Sequence, residues 1–417
     1  MTVNAPTEHA PHALDTAAAI ARARRAAVAD RYAIDSFVVE WRRLAELADI
    51  TNEWRELAAR ALVANVFYEP AFVFAAASLF GRDAGAVLVW SGTTPRKLLG
   101  LFPARTETRR YGIKLPLLVG WTHPFAPLGV PLVEREAAEP VIAAWLAHLA
   151  GDSGLPGLLL LPFVPEQGPF AAALAAVIRR ARMPTAEFNR HSRALLAPQG
   201  ERSGYVEQAL GPRNFRELRR TARRLNEAGA LLFSTAAEPA GVGAALEDFL
   251  ALEASGWKGK AHTAAACDAA VRDFVKAAVS GLAAEHKVTI DRIVLDGSPI
   301  AASVTLRSGS GAWFWKIAYD ETWARFAPGV LLTAWVTERL ADDLTVARAD
   351  SCATADHVVM NRSWSERLAL CDLMIAVRPQ SPFARVERLE RLRLAATAAA
   401  KAIRERLRQQ WSRAFRW

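Results

Sequence analysis

The stretch WFWKIAYDETWARFAPGVLL, residues 313–332, sets a lysine, a tyrosine and an aspartate at the end of an aromatic run, just before an Ala-Pro-Gly corner. The run alternates as a strand does, and a helix-like apolar pattern opens at Gly329-Val330-Leu331. Lys316, Tyr319 and Asp320 therefore fall at the C-terminal edge of a strand. Groups of this kind can take a proton, return it, or polarise a carbonyl. Further candidate bases are Glu321, Asp350 at the end of the next predicted strand (VARADS), Asp356, and His357, whose imidazole can serve as acid or base. Each also has a plainer account. Lys316 alternates with Trp315 and Ile317 and fits the solvent face of a strand, Asp320-Glu321 fits a polar turn, and His357 fits a loop histidine in water.

SGWKGK, residues 255–260, ends a predicted helix at Gly256 and exposes Trp257, Lys258 and Lys260. An aromatic flanked by cations suits a sugar, a phosphate or a pantetheine arm. The same residues also make a helix C-cap followed by lysines that complement its dipole.

Other chemistries are absent from the sequence. It contains no HExxH, GxSxG, GxxxxGK[ST] or GxGxxG. Cys267, Cys352 and Cys371 are too far apart for a CxxC pair or a disulfide framework, so free thiols and a cytoplasmic setting are expected, with no metal. No apolar run approaches the roughly 20 residues a membrane-spanning helix needs. The net charge of +9 is local: residues 385–417 carry +7 and residues 213–224 carry +5, which leaves −3 for the remainder. Sequence-specific nucleic-acid binding is not expected from charge confined to two helices with no reading motif.

The elements that would position these groups alternate between helix and strand, which argues for an α/β (α+β) fold with mixed sheets flanked by helices. Residues 1–30 read as a disordered leader. WRRLAELA and NEWRELAARAL read as helical, and Pro70 reads as the first turn of a helix. Strands follow at GAVLVW, KLLGLFPARTE, LPLLVGWTHPFAP, GLLLLPFV and EFNRHSRALLA. A second unit begins near Gly211 with a helix starting at Pro212. Its central meander turns at Asp296-Gly297 and runs into residues 313–320. WTHPFAPLGVPL, residues 121–132, echoes the opening stretch through its Phe-Ala-Pro and suggests tandem domains, 31–200 and 201–380. In the helix beginning at Pro212, Phe215, Leu218, Ala222 and Leu225 form an apolar stripe opposite Arg213, Arg216, Arg219, Arg220, Arg223 and Arg224. In the tail, 381–417, Leu389, Leu392, Ala396, Ala399, Ile403, Leu407, Trp411 and Phe415 form another stripe. Such a helix can lie on an anionic membrane or dock on the body or a partner protein.

FRELRRTARRL, LEASGWKGK, DGSPIAASVTL, WKIAYDETWARFAPGVLL and ADSCATADHVVMNRSW, in that order, resemble the GNAT-type acyltransferase domain of CelD-like (cellulose-biosynthesis) and FemAB-like proteins over residues 205–380. The resemblance implies tandem GNAT-like domains followed by a basic amphipathic C-terminal helix. It implies acyl transfer to an amine or hydroxyl of a small-molecule or glycan acceptor, in a polysaccharide or cell-envelope pathway, by direct transfer in a ternary complex. In such folds the acyl donor lies where two central strands splay, with its pyrophosphate on the next helix's N-terminus. Acyl-CoA is then the expected co-substrate, with Arg325, Pro328, Gly329 and Val330 at the donor end. Lys316, Tyr319, Asp320, Asp350 and His357 form the reacting end, and Trp257, Lys258 and Lys260 contact substrate. The donor loop, with one glycine and a proline, departs from the Arg/Gln-x-x-Gly-x-Gly/Ala pattern of acetyl-CoA members. Two alternatives follow: a Fem-like transferase using charged tRNA, and a non-catalytic scaffold peripheral at the inner membrane.

Overall fold

The computed structural model describes Tyr32 and residues 34–414 except 152, 199 and 201, and the side chains of the C-terminal helix as far as 404; the expected leader, 1–30, lies outside the described residues. The first half supplies strands β1 (Phe37–Arg43), β2 (Ala84–Ser91), β3 (Leu98–Arg110), β4 (Ile113–Gly120), β5 (Leu132–Val133), β6 (Leu158–Pro165) and β7 (Thr185–Leu196). The second supplies β8 (Leu231–Ala236), β9 (Val288–Leu295), β10 (Ser298–Ser308), β11 (Gly311–Tyr319), β12 (Arg348–Asp350) and β13 (Glu366–Ala376). All join one sheet in the order β1-β2-β3-β4-β6-β13-β7-β12-β11-β10-β9-β8, with β5 added to β3.

That order is a palindrome about the β13/β7 pair. β1 corresponds to β8, β2 to β9, β3 to β10, β4 to β11, β6 to β12 and β13 to β7. The pairing senses repeat as well, since β4/β6 and β11/β12 are the parallel pairs and their equivalents elsewhere are antiparallel. Each half ends in a strand that the other half's sheet receives. β13 lies between β6 and β7, and β7 lies between β13 and β12. The two half-sheets are thereby stitched edge to edge, which leaves no free strand edge at the join.

The helices are α1 (Thr51–Arg60), α2 (Pro70–Phe80), α3 (Ala138–Ala150), α4 (Pro169–Ala181), α5 (Tyr205–Asn226), α6 (Pro239–Ser255), α7 (Trp257–Lys260), α8 (Ala269–Ala283), α9 (Pro328–Asp342), α10 (Val358–Ser363) and α11 (Phe383–Ala414). α3 and α9 make the equivalent parallel crossovers in the two halves. One core spans both: Phe67 meets Trp313 edge-on at 6.0 Å, and Phe72 meets Phe274 at 5.6 Å and Trp315 at 5.9 Å.

The expected helix at WRRLAELA is corrected. Residues through Arg43 belong to β1, where Trp41 pairs with Val87 of β2, because the β-branched and aromatic residues Phe37, Val38, Val39 and Trp41 fit a pleated surface. The Asp296-Gly297 turn has φ of 49° and 79°, the left-handed pair a tight hairpin requires. α5 is broken at Gly211 (φ 75°), and its second segment starts at Pro212. Leu225 is buried and Leu218 and Ala222 pack beside it, while all six arginines are exposed.

α11 docks by a different face from the stripe expected of it. Val386 and Glu390 are buried and Phe383 and Leu394 pack with them. Leu392 is 60% exposed and Ile403 58%, and every residue from 395 to 404 is exposed. Leu407, Trp411 and Phe415 lie outside the described side chains. No described helix is long and apolar enough to cross a membrane. Val386→Ala should cost about 1–3 kcal/mol in urea unfolding, and Leu392→Ala no more than about 0.5, although both are aliphatic truncations on one helix. Equal costs would contradict this docking.

Candidate active site

β11 and β12 pair only from Gly311/Arg348 to Trp313/Asp350. Beyond that point β11 runs on to Tyr319 while the other chain turns at Cys352 (φ 51°), so the strands diverge. A cleft of about 610 Å³ opens between them. Its walls are the Phe314–Ile317 and Tyr319 side chains, the Ser351–Thr354 segment with His357, the start of α9, and Trp257-Lys258.

The equivalent gap in the first half is closed. There β4 and β6 pair only at Leu118/Leu159 and Val119/Leu160. The WTHPFAPLG segment then crosses the gap, with the Gly129 amide donating to Phe163 O at 3.2 Å and Asn65 Nδ2 donating to Leu128 O and Val130 O. This plug also reaches the second half, since Trp315 Nε1 donates to Phe125 O at 2.8 Å. The two Phe-Ala-Pro segments thus differ in use: one fills its cleft, and the other forms the rim of an open one.

Lys316 is the central cation of the cleft. Its side chain is 13% exposed, and Nζ lies 4.5 Å from the Phe125 ring centroid, 5.5 Å from that of Trp315 and 3.7 Å from Glu253 Oε1. Burial disfavours its charged form and Lys258 adds to this, outweighing the attraction of Glu253, so its pKa falls to about 8. Glu253 is 3% exposed and was not singled out in the sequence. It accepts from Lys258 Nζ at 2.9 Å and from the Ala265 amide at 2.9 Å. Burial pushes its carboxyl up, but Lys316 and Lys258 together hold it below the ordinary value.

The other expected residues divide between cleft and surroundings. Trp257, Lys258, Tyr319, Gly329, Val330 and His357 line the cleft with Lys316. Asp320 does not line it; its Oδ1 accepts from the Thr322 amide and hydroxyl and caps the turn at 321–326. Asp350 is turned away beneath the wall, 2.5 Å from Arg193 of β7, with Oδ1 accepting from the Cys352 amide. Glu321 accepts from the Trp257 amide and pairs with Lys260, both at 2.6 Å, which fixes α7 against the rim and occupies Lys260 outside the cleft. Asp356 is exposed on the loop before α10. Among the described residues no carboxylate lines the cleft. His357 caps α10, its Nδ1 accepting from the Met360 amide at 3.2 Å, which leaves the proton on Nε2. Cys352 also lines the cleft, but burial and Asp350 raise its thiol well above the ordinary value, so it is no thiolate nucleophile.

At the helix start where the donor was expected, Pro328 has no N–H, and the amides of Val330 and Leu331 both turn back to Ala327 O. Gly329 keeps the one amide of this first turn without a protein acceptor among the described residues. A Cβ on Gly329 would meet the Tyr319 ring at 3.0 Å, so the glycine lets that ring lie against the helix start. Outside the cleft, the guanidinium groups of Arg325 and Arg224 lie 4.7 and 5.8 Å from the Phe326 ring centroid, which brings the arginine face of α5 to the rim. Among the described residues no group of three His, Cys, Asp or Glu side chains could hold a metal ion.

No curated protein sequence matches the chain significantly. Among solved structures it is similar to FemX, with a TM-score of 0.54 at 8% identity over 81% of this chain and 98% of that one. Other similar structures are the C-terminal domain of a putative lysylphosphatidylglycerol synthetase from Agrobacterium fabrum (TM-score 0.47, 10% identity, 82% and 96% covered) and a tandem GNAT protein from the clavulanic acid biosynthesis pathway (0.38, 12%, 82% and 99%). The fold is α/β, one mixed sheet flanked by helices and built of two halves whose strand orders mirror each other, and it is similar to that of FemX. Residues 213–357 match the model of the acetyltransferase (GNAT) domain family, and they include every residue lining the cleft except Val359 and Met360.

Proposed function

We propose that the protein is an acyltransferase that moves an acyl group from a thioester donor, acyl-CoA, to an amine or hydroxyl acceptor in the cleft between β11 and the segment after β12. The observation that carries this reading is Lys316, a lysine with pKa about 8 in an open cleft that has no carboxylate among its described lining residues. A neutral amine there can take the acceptor's proton, a role the sequence had offered to Asp320, Glu321, Asp350, Asp356 and His357. The acceptor's lone pair attacks the donor carbonyl carbon and the C–N or C–O bond forms. Its proton passes to Lys316 Nζ, the tetrahedral oxyanion collapses, the C–S bond breaks, and the Lys316 ammonium returns the proton to the departing thiolate. Val330 and Gly329 border the carbonyl's approach, and the free Gly329 amide is the backbone donor for a donor phosphate or oxyanion. Tyr319 and Lys258 stand at the mouth as substrate contacts. With Lys258 and Lys316 in its lining and no Asp or Glu among the described lining residues, the cleft favours ligands bearing an anionic group over cationic ones.

Thermal unfolding with acetyl-CoA, longer acyl-CoAs and free CoA tests the reading. A ligand at about 100 times its Kd stabilises by roughly 2.7 kcal/mol. The expected result is a rise in Tm with an acyl-CoA that is lost in Gly329→Val, where the new side chain displaces the Tyr319 ring. No rise with any CoA would overturn the acyl-CoA donor.

One observation favours a second donor. A single free amide replaces a multi-amide pyrophosphate cradle, while the six exposed arginines of α5 reach the rim through Arg224. An aminoacyl-tRNA would use such a face, with binding that weakens steeply as salt rises. Absence of the CoA response together with salt-sensitive tRNA retention would select this donor.

A further inference from the structure

The cleft's chemistry has a third participant beneath its wall. Glu253 projects from the last turn of α6 and is the one carboxylate among the described residues that touches both cleft lysines. One oxygen serves Lys258 at 2.9 Å and Lys316 at 3.7 Å, and the other is held by the Ala265 amide at 2.9 Å. The carboxylate is therefore fixed, and the two ammonium groups compete for it. They are not equivalent. Lys258 is 28% exposed and sits on α7, a single turn held to the rim by Glu321. Lys316 is on the rigid strand β11 with its amine over the Phe125 ring.

We propose that Glu253 is the positioning residue of the site: it holds Lys316 in place and divides its negative charge between Lys316 and Lys258, so that the occupancy of Lys258 sets the proton affinity of Lys316. When Lys258 lies on Glu253, little of the carboxylate's attraction is left for Lys316, and Lys316 gives up its proton more readily than an ordinary lysine. When an anionic group of a ligand draws Lys258 into the cleft, the whole carboxylate faces Lys316, which becomes a stronger base as the acceptor's proton must be taken. The role assigned to Lys316 rests on the acyl-transfer reading, whereas the charge division does not.

The remaining charged and titratable groups around Lys316 do not compete for this part. Glu321, on the rim, is occupied by Lys260 and the Trp257 amide. His123, behind Phe125, is kept neutral by burial that lowers its pKa to about 3. Across the cleft, His357 is committed to the Met360 amide, and the Cys352 thiol is held protonated by burial.

The test reads Lys316 directly and needs no substrate. Trace labelling of amines with acetic anhydride across a pH series, followed by mass spectrometry of the peptide that carries Lys316, gives the midpoint of its reactivity. The wild-type midpoint is expected near about 8. Glu253→Gln keeps the acceptor and removes the charge, and the midpoint should fall by about one pH unit or more. Lys258→Met frees the carboxylate for Lys316 and removes a repelling charge, and the midpoint should rise by a similar amount. Opposite shifts support the proposal. An unmoved midpoint in the folded variants, or two shifts of the same sign, overturns it. If Glu253→Gln does not fold, as judged by circular dichroism, Glu253→Asp decides, because it keeps the charge but draws the carboxylate back from both lysines, so the Lys316 midpoint should fall there too, and an unmoved midpoint overturns the proposal. Opposite shifts combined with undiminished acyl transfer in Lys316→Met would end the functional reading and leave the charge division standing.

Discussion

Arg193→Met should lower the stability of the whole molecule by about 3–5 kcal/mol in urea unfolding. Arg193 is 2% exposed on β7, and its guanidinium lies 2.5 Å from Asp350 on β12. The substitution leaves a buried carboxylate without its counter-charge, which costs far more than the attraction that is lost. The position magnifies the effect, because β7 is the strand the first half gives to the second half's sheet, and its pairing with β12 covers only Ala349/Leu196 and Asp350/Leu195. Asp350 also holds the Cys352 amide through Oδ1, so the start of the cleft wall loosens with it. The double variant Arg193→Met with Asp350→Leu removes both charges and should recover most of the loss, since an apolar pair of similar volume is often neutral or better in place of a buried ion pair. A single variant within about 1 kcal/mol of wild type would mean that water reaches Asp350 and that the pair is not the clasp between halves described here.

The legibility of this chain follows the range of the forces involved. Turn and cap chemistry is local, so the Asp296-Gly297 hairpin and the helix starts at Pro70 and Pro212 could be read directly. The strand at β1 could not. Trp41-Arg42-Arg43 continues into Leu44-Ala45-Glu46 with a helical rhythm, and only pairing with β2 decides it. The Phe-Ala-Pro echo pointed to tandem halves, but nothing in it says that β7 and β13 cross over, because strand order is settled by long-range pairing. At the site, Lys316 was visible as a lysine ending an aromatic strand, whereas its low proton affinity needed Phe125 from the other half to bury it. Asp320 and Asp350 looked like bases because both end strands; in the fold one caps a turn and the other is clasped by Arg193. Glu253 was passed over, yet a signal existed. It falls seven residues after Leu246 and four after Phe249, on the stripe of α6 that packs inward, and an acid on a buried stripe calls for a cationic partner.

Lys316→Met should reduce kcat/KM for acyl transfer by about 10²–10⁴ with little change in acyl-donor binding, the range expected when a positioned proton acceptor is removed. Methionine keeps most of the length of the side chain and is compatible with the Phe125 and Trp315 rings beside it, so the fold should hold. The pH dependence carries the sign. Below about 8 the lysine is an ammonium and cannot accept a proton; above it the neutral amine dominates. If Lys316 is the base, the rate climbs as pH rises toward about 8 and then levels, and this limb disappears in the variant. If Lys316 instead serves as a cation facing the developing oxyanion, the rate is highest below that pH and falls through it. Release of free CoA from an acyl-CoA, followed across a panel of amine and hydroxyl acceptors, measures both outcomes. A limb that survives in Lys316→Met would transfer the titration to another group, and Lys258 and His357, which also line the cleft, would be the first to examine. A limb lost together with the rate would tie the chemistry to one amine, held on a second-half strand against a first-half ring, and would explain why the closed cleft is kept beside the open one: its plug supplies the low-polarity wall that makes a lysine a base near neutral pH.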